Sequence, residues 1–216
     1  MTAVGRLVSV NVGVPRVVEW FGRAVESGIW KEPVPGRVSV RGVNLDGDEQ
    51  ADLRVHGGVD KAVYAYALED YSWWSERLGR TITPATFGEN LTTDGIDLNA
   101  LEMGTRVHVG SVTLEVSGPR MPCFKLGMRM GDADFVDEFE QAARFGAYFR
   151  IVTEGAVGAG DEIAVEPLGR DGLTVRELGS MYHSPTRSQV ERVRDDPATG
   201  ATWREWIEYR SRRASG

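Results

Sequence analysis

Arg106-Val107-His108-Val109-Gly110-Ser111-Val112-Thr113-Leu114-Glu115-Val116 reads as two β-branched strands joined across a Gly-Ser pair. Apolar residues recur at alternate positions on both arms, the period that places them on one face of a strand. A two-residue glycine-containing break between such arms predicts a hairpin. The same grammar recurs at Leu7–Val12, at Val17–Trp20 after the interruption of Pro15, and at Val38–Val40, Ala62–Tyr66, Ala147–Thr153 and Glu162–Glu166. Short β-branched or aromatic runs punctuated by glycine and proline predict a barrel or a sandwich.

Two helical patterns interrupt these strands. Leu68–Leu78 places apolar residues at 68, 71, 74 and 78, and Phe135–Phe145 repeats that spacing, with Asp134 as N-cap and Gly146 just past the end. After Pro167-Leu168-Gly169-Arg170-Asp171-Gly172 the composition changes. Leu173–Gly179, Thr186–Arg194 and Ala201–Arg213 read as three short helices, broken at Ser184-Pro185 and at 196–200. The expected class is therefore mainly β (α+β): a β domain over residues 1–168, then a three-helix C-terminal module over 169–216. That module is too short to hold a core alone and is expected to pack on the β domain.

At 216 residues the chain can bury one good-sized core. A net charge of −7 and a pI near 5.1 argue against a general nucleic-acid surface, which needs clustered excess cations. Any anion site must be a local basic pocket on an acidic body. One cysteine provides no disulfide framework and suits a reducing compartment. Met1–Trp20 lacks a charged segment followed by an apolar stretch, and no run of 18 apolar residues exists, so a cytoplasmic, membrane-free location is the expectation.

The chemistry-bearing segments are few. Cys123 sits in Pro119-Arg120-Met121-Pro122-Cys123-Phe124-Lys125, between two cations that would favour a reactive, metal-binding thiolate. The alternative is a buried free thiol acting as a small hydrophobe. Of 25 basic residues only Lys31, Lys61 and Lys125 are lysine, and each lies in a segment singled out on other grounds. A lysine ammonium is a point-charge phosphate binder, unlike the rigid fork of arginine. His56-Gly57-Gly58, ahead of Asp60-Lys61, allows close backbone approach to a ligand or makes a tight turn before a strand. Phe87-Gly88-Glu89-Asn90-Leu91 offers a polar pair to a ligand or closes a barrel corner, and Arg150 either faces an anion or is solvated.

Gly155–Gly160 has nucleotide-loop glycines in the wrong order, with a strand following, and reads as a β turn. No Walker loop, G-x-S-x-G elbow or H-E-x-x-H is present. His56, His108, His183 and Cys123 share no zinc spacing. His108 reads as a packed histidine, and Trp73, Trp74, Trp203 and Trp206 as helix packing.

Taken in order, Ser27–Lys31, Gln50-Ala51-Asp52, His56–Tyr66, Phe87–Thr92, Pro119–Leu126 and Tyr148–Asp161 resemble the MOSC family, named for the C-terminal domain of molybdenum-cofactor sulfurase. Within it they are most similar to the bacterial YiiM-like proteins. The likeness covers nearly all of residues 1–166, and the helical tail resembles that subfamily's three-helix module more loosely. It departs at Val59, where this turn usually carries proline.

The resemblance implies a MOSC-type β-barrel with a few helices, binding the molybdenum cofactor (molybdopterin) with Cys123 as a protein ligand to the metal. It implies cofactor contacts from Lys31, His56, Lys61, Asn90, Arg120, Lys125 and Arg150, with Cys123 and His56 catalytic and His56 or a lysine supplying protons. The implied reaction reduces N-hydroxylated small molecules, such as N-hydroxylated purines, to amines. No flavin, haem or iron–sulfur motif is present, so electrons are expected from a separate reductase. A homodimer is compatible with this reading. Two other classes stay open: a molybdopterin or sulfur carrier without turnover, and a transferase using Cys123 as nucleophile with His56.

Overall fold

The hairpin at the centre of the sequence forms one wall of a closed barrel. The structure, a computed structural model, describes residues 3–51, 57–169 and 171–214, so the expected site residue His56 lies outside the described residues, as does Asp52. Strands β9 (Arg106–Val109) and β10 (Val112–Pro119) pair antiparallel, Val112 opposite Val109. Val107, Val109, Val112, Leu114 and Val116 are buried, as the alternation requires.

Beyond β10 the sheet continues through β11 (Ala147–Thr153), β7 (Val63–Ala67), β8 (Leu91–Asp94) and β1 (Ala3–Val12). Strand β13 (Glu162–Glu166) lies between β9 and β1 and closes the ring. Only the β7–β8 pair in this ring is parallel. A parallel pair needs a crossover, and here α1 (Leu68–Leu78) supplies it.

Helix α1 buries Trp74 completely. Its indole N–H donates to the Tyr66 hydroxyl at 2.8 Å, and its ring stacks on Phe139 of α3 (Phe135–Ala142) with centroids 5.8 Å apart. The expected helix to Phe145 stops at Ala142 because the backbone N–H groups of Phe145 and Gly146 both donate to Asn99 Oδ1, at 2.8 and 3.2 Å. Asp134 holds the N-cap position without a side-chain cap bond. His108 is half-exposed between Glu166 and Thr113 rather than packed.

Outside the barrel, β2 (Arg16–Trp20) and β3 (Arg23–Ser27) form a hairpin. Strand β4 (Glu32–Pro33) pairs with the end of β1. Strands β5 (Arg37–Arg41), β6 (Asn44–Leu45) and β12 (Gly155–Gly158) make a small sheet. The stretch 155–160 thus departs from the expected turn, since its first four residues are a strand paired with β5 and only Ala159-Gly160 turn. A side chain at Gly155 would collide with Ser111, so that glycine permits close approach rather than a bend.

Helix α2 (Phe124–Met130) was hidden in the sequence behind Pro119 and Pro122. The three tail helices are present as α4 (Val175–Ser180), α5 (Arg187–Asp195) and α6 (Ala201–Ala214). Capping boxes at Thr174/Glu177 and Thr186/Gln189 satisfy the first free N–H groups of α4 and α5. Leu178, Val193 and Ile207 belong to the same hydrophobic cluster as the barrel interior. The Val175 N–H also donates to Leu101 O at 2.9 Å.

Glu89 resolves the polar pair of the 87–91 segment. It is fully buried and accepts from the Tyr71 hydroxyl (2.7 and 2.8 Å), Ala85 N–H (2.7 Å) and the Thr92 hydroxyl (2.8 Å). Burial nevertheless raises its pKa above the ordinary carboxylate value. This is the barrel-corner role. Removing the acceptor strands three donors, so Glu89→Ala should cost at least about 3 kcal/mol in urea unfolding, whereas Tyr71→Phe, which removes one of those donors and the acceptor of the Phe87 N–H, should cost about 2 kcal/mol.

Candidate functional site at one end of the barrel

The segments singled out in the sequence converge on one cavity. Ser27–Lys31 follows β3, Lys61 ends a single 3-10 turn (Val59–Lys61), Asn90 precedes β8, and the Arg120–Lys125 stretch joins β10 to α2. Of the eight expected site residues, Lys31, Lys61, Asn90, Arg120, Cys123 and Lys125 line this cavity. His56 is outside the described residues, and Arg150 does not line it.

Two of the six are already engaged. The Lys31 ammonium pairs with Asp48, both side chains being almost wholly buried. Burial lowers the Lys31 pKa, and the charge and hydrogen bond of Asp48 oppose that shift. The Asn90 side-chain N–H donates to Asp48 Oδ2 at 3.0 Å, and Asn90 Oδ1 accepts from Tyr64 N–H at 3.1 Å. Asn90 is thereby a fastening between strands, and its backbone is engaged as well, its N–H donating to Tyr64 O at 2.8 Å and its carbonyl accepting from Asn11 N–H at 2.7 Å.

Arg150 is likewise employed elsewhere. Its Nε donates to Asp60 Oδ1 at 2.5 Å and its Nη1 to Glu115 Oε1 at 2.9 Å. It ties the 57–61 turn to β10, which is not the anion contact expected of it.

The remaining cations are different. Arg120 is buried, its guanidinium 5.8 Å from the Tyr64 ring centroid and 5.6 Å from that of Phe139. Its Nη1 is buried without a hydrogen-bond partner. A buried charged donor left unpaired costs free energy unless a ligand completes it. Lys61 is half-buried, and burial lowers its pKa against the opposing charges of Asp60 and Cys123. Lys125, in the first turn of α2, makes no ion pair among the described residues.

Cys123 stands partly exposed on extended backbone (φ −133°, ψ 173°) immediately before α2. It is within electrostatic reach of Lys61, Tyr148 and Tyr182. Among the described residues no three His, Cys, Asp or Glu side chains cluster to hold a metal ion.

Sequence reasoning missed Asp48, Tyr64 and the tail aromatics Tyr182, Trp203 and Trp206. The last three line a second cavity that also reaches Cys123. The signal for them was the i, i+3, i+6 spacing of Trp203, Trp206 and Tyr209 on an otherwise charged helix.

Residues 52–164 match the MOSC domain. The chain belongs to the MOSC domain family. It is 36% identical over 200 residues to the uncharacterized protein YflK of Bacillus subtilis, the match covering 92% of this chain and 90% of that one. It is 31% identical over 205 residues to protein YiiM of Escherichia coli, covering 92% and 90%. A protein named reductase from Gibberella moniliformis is 31% identical over 151 residues, 67% of this chain but 26% of that protein. The crystal structure of YiiM from Geobacillus stearothermophilus superposes with a TM-score of 0.77 at 30% identity, over 95% of this chain and 98% of the other. MOSC domains in general are associated with molybdenum-cofactor binding.

In this MOSC barrel the Asp48 carboxylate governs Lys31. Asp48→Asn removes the counter-charge, so the Lys31 pKa falls further below 10.5. At neutral pH the variant should lose about 3–5 kcal/mol, because an uncompensated buried charge is left behind. Between the lowered folded pKa and the unfolded value the native state binds fewer protons, so raising pH favours folding. The deficit should therefore shrink as pH is raised from neutrality toward the unfolded lysine value of 10.5 in urea titrations. The double variant Asp48→Asn/Lys31→Met should recover most of it.

Proposed function

We propose that this MOSC protein is a molybdenum-cofactor-dependent reductase that converts N-hydroxylated compounds, N-hydroxylated purines among them, to amines. The observation that carries this reading is a partly exposed thiol, Cys123, beside a buried guanidinium, Arg120, with an unpartnered N–H. The reductase name of one relative supports the same direction.

The residues fit the cofactor on their own chemistry. It presents a phosphate and sulfur ligands. Arg120 and Lys125 supply the charge-assisted donors for the phosphate, Arg120 with a free N–H and Lys125 as a point charge. Cys123 supplies one soft thiolate, the ligand type suited to a soft or borderline metal. When bound, the cofactor supplies a two-electron redox centre.

The net reaction balances as R–NH–OH + 2 e⁻ + 2 H⁺ → R–NH₂ + H₂O, the electrons coming from a separate reductase protein. Lys61, half-buried at the cavity edge beside Cys123, holds a proton at Nζ where the leaving oxygen must be protonated. Correctly placed general acids contribute about 10²–10⁴-fold. His56 is the second proton source that the family resemblance implies. Tyr64 and Tyr148, their pKa values raised by burial, line the same cavity in the neutral hydroxyl form.

The test compares wild type with Cys123→Ser, both produced with cofactor supply. Stoichiometric molybdenum and pterin are expected in wild type, with molybdenum lost in Cys123→Ser. Equal metal content in the two would overturn the assignment of Cys123. Reduction of 6-N-hydroxylaminopurine with a supplied donor then separates enzyme from carrier, since a loaded protein without turnover is a carrier. Arg120→Gln should weaken cofactor retention about 10–100-fold in dilution experiments, the worth of a hydrogen bond to a charged group.

A further inference from the structure

Cys123 faces two cavities, and the basic one described above is only half of its surroundings. The second is walled on the barrel side by the 57–61 turn and by Gly118–Cys123. On the other side stand four aromatic side chains of the tail: Tyr182, Trp203, Trp206 and Tyr209. Cys123, Lys61 and Tyr148 line both cavities, so the thiol stands where a basic lobe meets an aromatic one.

The aromatic wall is built and fixed. Ile207 of α6 is fully buried in the core, while Trp203 and Trp206 pack against that core and remain half-exposed on the cavity side. Trp206 stacks on Tyr182 with centroids 4.9 Å apart, and its indole N–H donates to Tyr182 O at 3.3 Å. Trp203 meets Tyr182 edge-on at 6.0 Å. Its indole also lies directly on the backbone of Gly118, where any side chain would overlap it. That contact joins α6 to the strand leading into Cys123.

Charge divides the two lobes. Arg120, Lys125 and the Lys31–Asp48 pair lie on the first cavity only. The second carries Glu205, which makes no ion pair among the described residues, Asp60, held by Arg150, and Lys61, which it shares with the first. An anionic group in the aromatic lobe would meet the Glu205 carboxylate as well as Lys61, whereas an uncharged flat ring meets indole and phenol faces.

We propose that this lobe is the substrate subsite, and that it takes an uncharged planar N-heteroaromatic ring whose N-hydroxyl group reaches toward Cys123. The proposal rests on the reductase reading, which already names N-hydroxylated purines, and adds to it the part of the chain that selects the ring. Nucleobases and nucleosides fit this description, and nucleotides are disfavoured by Glu205.

The experiment uses the cofactor-loaded full chain. For wild type and Trp203→Leu, kcat/KM is measured for 6-N-hydroxylaminopurine and for aliphatic acetohydroxamic acid. The aromatic-to-aliphatic ratio should fall about tenfold in Trp203→Leu, the order expected for loss of one base–aromatic contact. Trp203→Phe, which keeps a ring, should restore most of it, and Glu205→Gln should raise turnover of the 5′-monophosphate relative to the nucleoside.

Binding of adenine, which cannot be reduced, is followed by calorimetry as a readout independent of turnover and should weaken by a similar factor in Trp203→Leu. An unchanged ratio and unchanged adenine affinity in Trp203→Leu, or a Phe variant no better than Leu, overturns the subsite. If neither N-hydroxyl compound is reduced yet adenine binding depends on Trp203, the reductase reading fails and the aromatic subsite stands.

Discussion

Asp48 is the point on which the site end of the barrel depends. Its carboxylate, 1% exposed, accepts from the Lys31 ammonium, from the Gly13 N–H at 3.0 Å and from the Asn90 side chain at 3.0 Å. The end of β1, the loop after β3 and the start of β8 are thereby held at one atom group. Two ions taken out of water repay the desolvation only where the remaining hydrogen bonds are complete, and here they are nearly so. The consequence reaches the chemistry. Lys31 is spent on architecture, and the small basic lobe on a body of net charge −7 keeps Arg120, with its unpartnered N–H, and Lys125 facing the cavity.

Arg150 plays the corresponding part for the other lobe. Its guanidinium grips Asp60 and Glu115, and Gly200, just ahead of α6, lies against that pair: a Cβ there would sit 3.1 Å from Arg150 Nη2 and 3.2 Å from Asp60 Oδ2. The turn that carries Lys61 and the helix that carries Trp203 are thus seated on one ion-pair cluster. The Ser117 hydroxyl, donating to Asp60 O at 2.6 Å, adds the strand that leads to Cys123. The tail helices are therefore a wall of the site as well as part of the core.

The sequence made the strands legible because their partners impose a two-residue period on an apolar face, and the closed barrel follows from many such runs in succession. It left α2 hidden, because prolines at 119 and 122 signal a loop and say nothing of the seven helical residues after Cys123. It also gave the 155–158 strand the look of a turn, since glycine serves close approach and reversal alike. Within the site, the segments holding Cys123 and the three lysines were legible as unusual, but their employment was not. Lys31 and Arg150 differ from Lys125 only in having a carboxylate brought to them from elsewhere in the chain: Asp48 for Lys31, Asp60 and Glu115 for Arg150. Long-range pairing of that kind has no local signature. The tail aromatics read as core or module packing, and Trp203 and Trp206 do pack against the core that holds Ile207; the cavity along their other side depends on the barrel wall opposite and has no local signature.

The surroundings of Cys123 bear on the choice between nucleophile and ligand. A thiol nucleophile works with a base within hydrogen-bond reach that takes its proton. Among the described residues the charged or titratable neighbours are Lys61, Tyr148 and Tyr182; the first is cationic, and burial keeps both phenols protonated. None of these three is a proton acceptor, and His56, the base that the transferase reading requires, lies outside the described residues. A site built wholly by protein would also gather several ligands, and none converges with Cys123 among the described residues. In the reading proposed above the metal arrives already chelated by an anionic carrier, and the protein supplies a single soft bond and a grip on the carrier's charge.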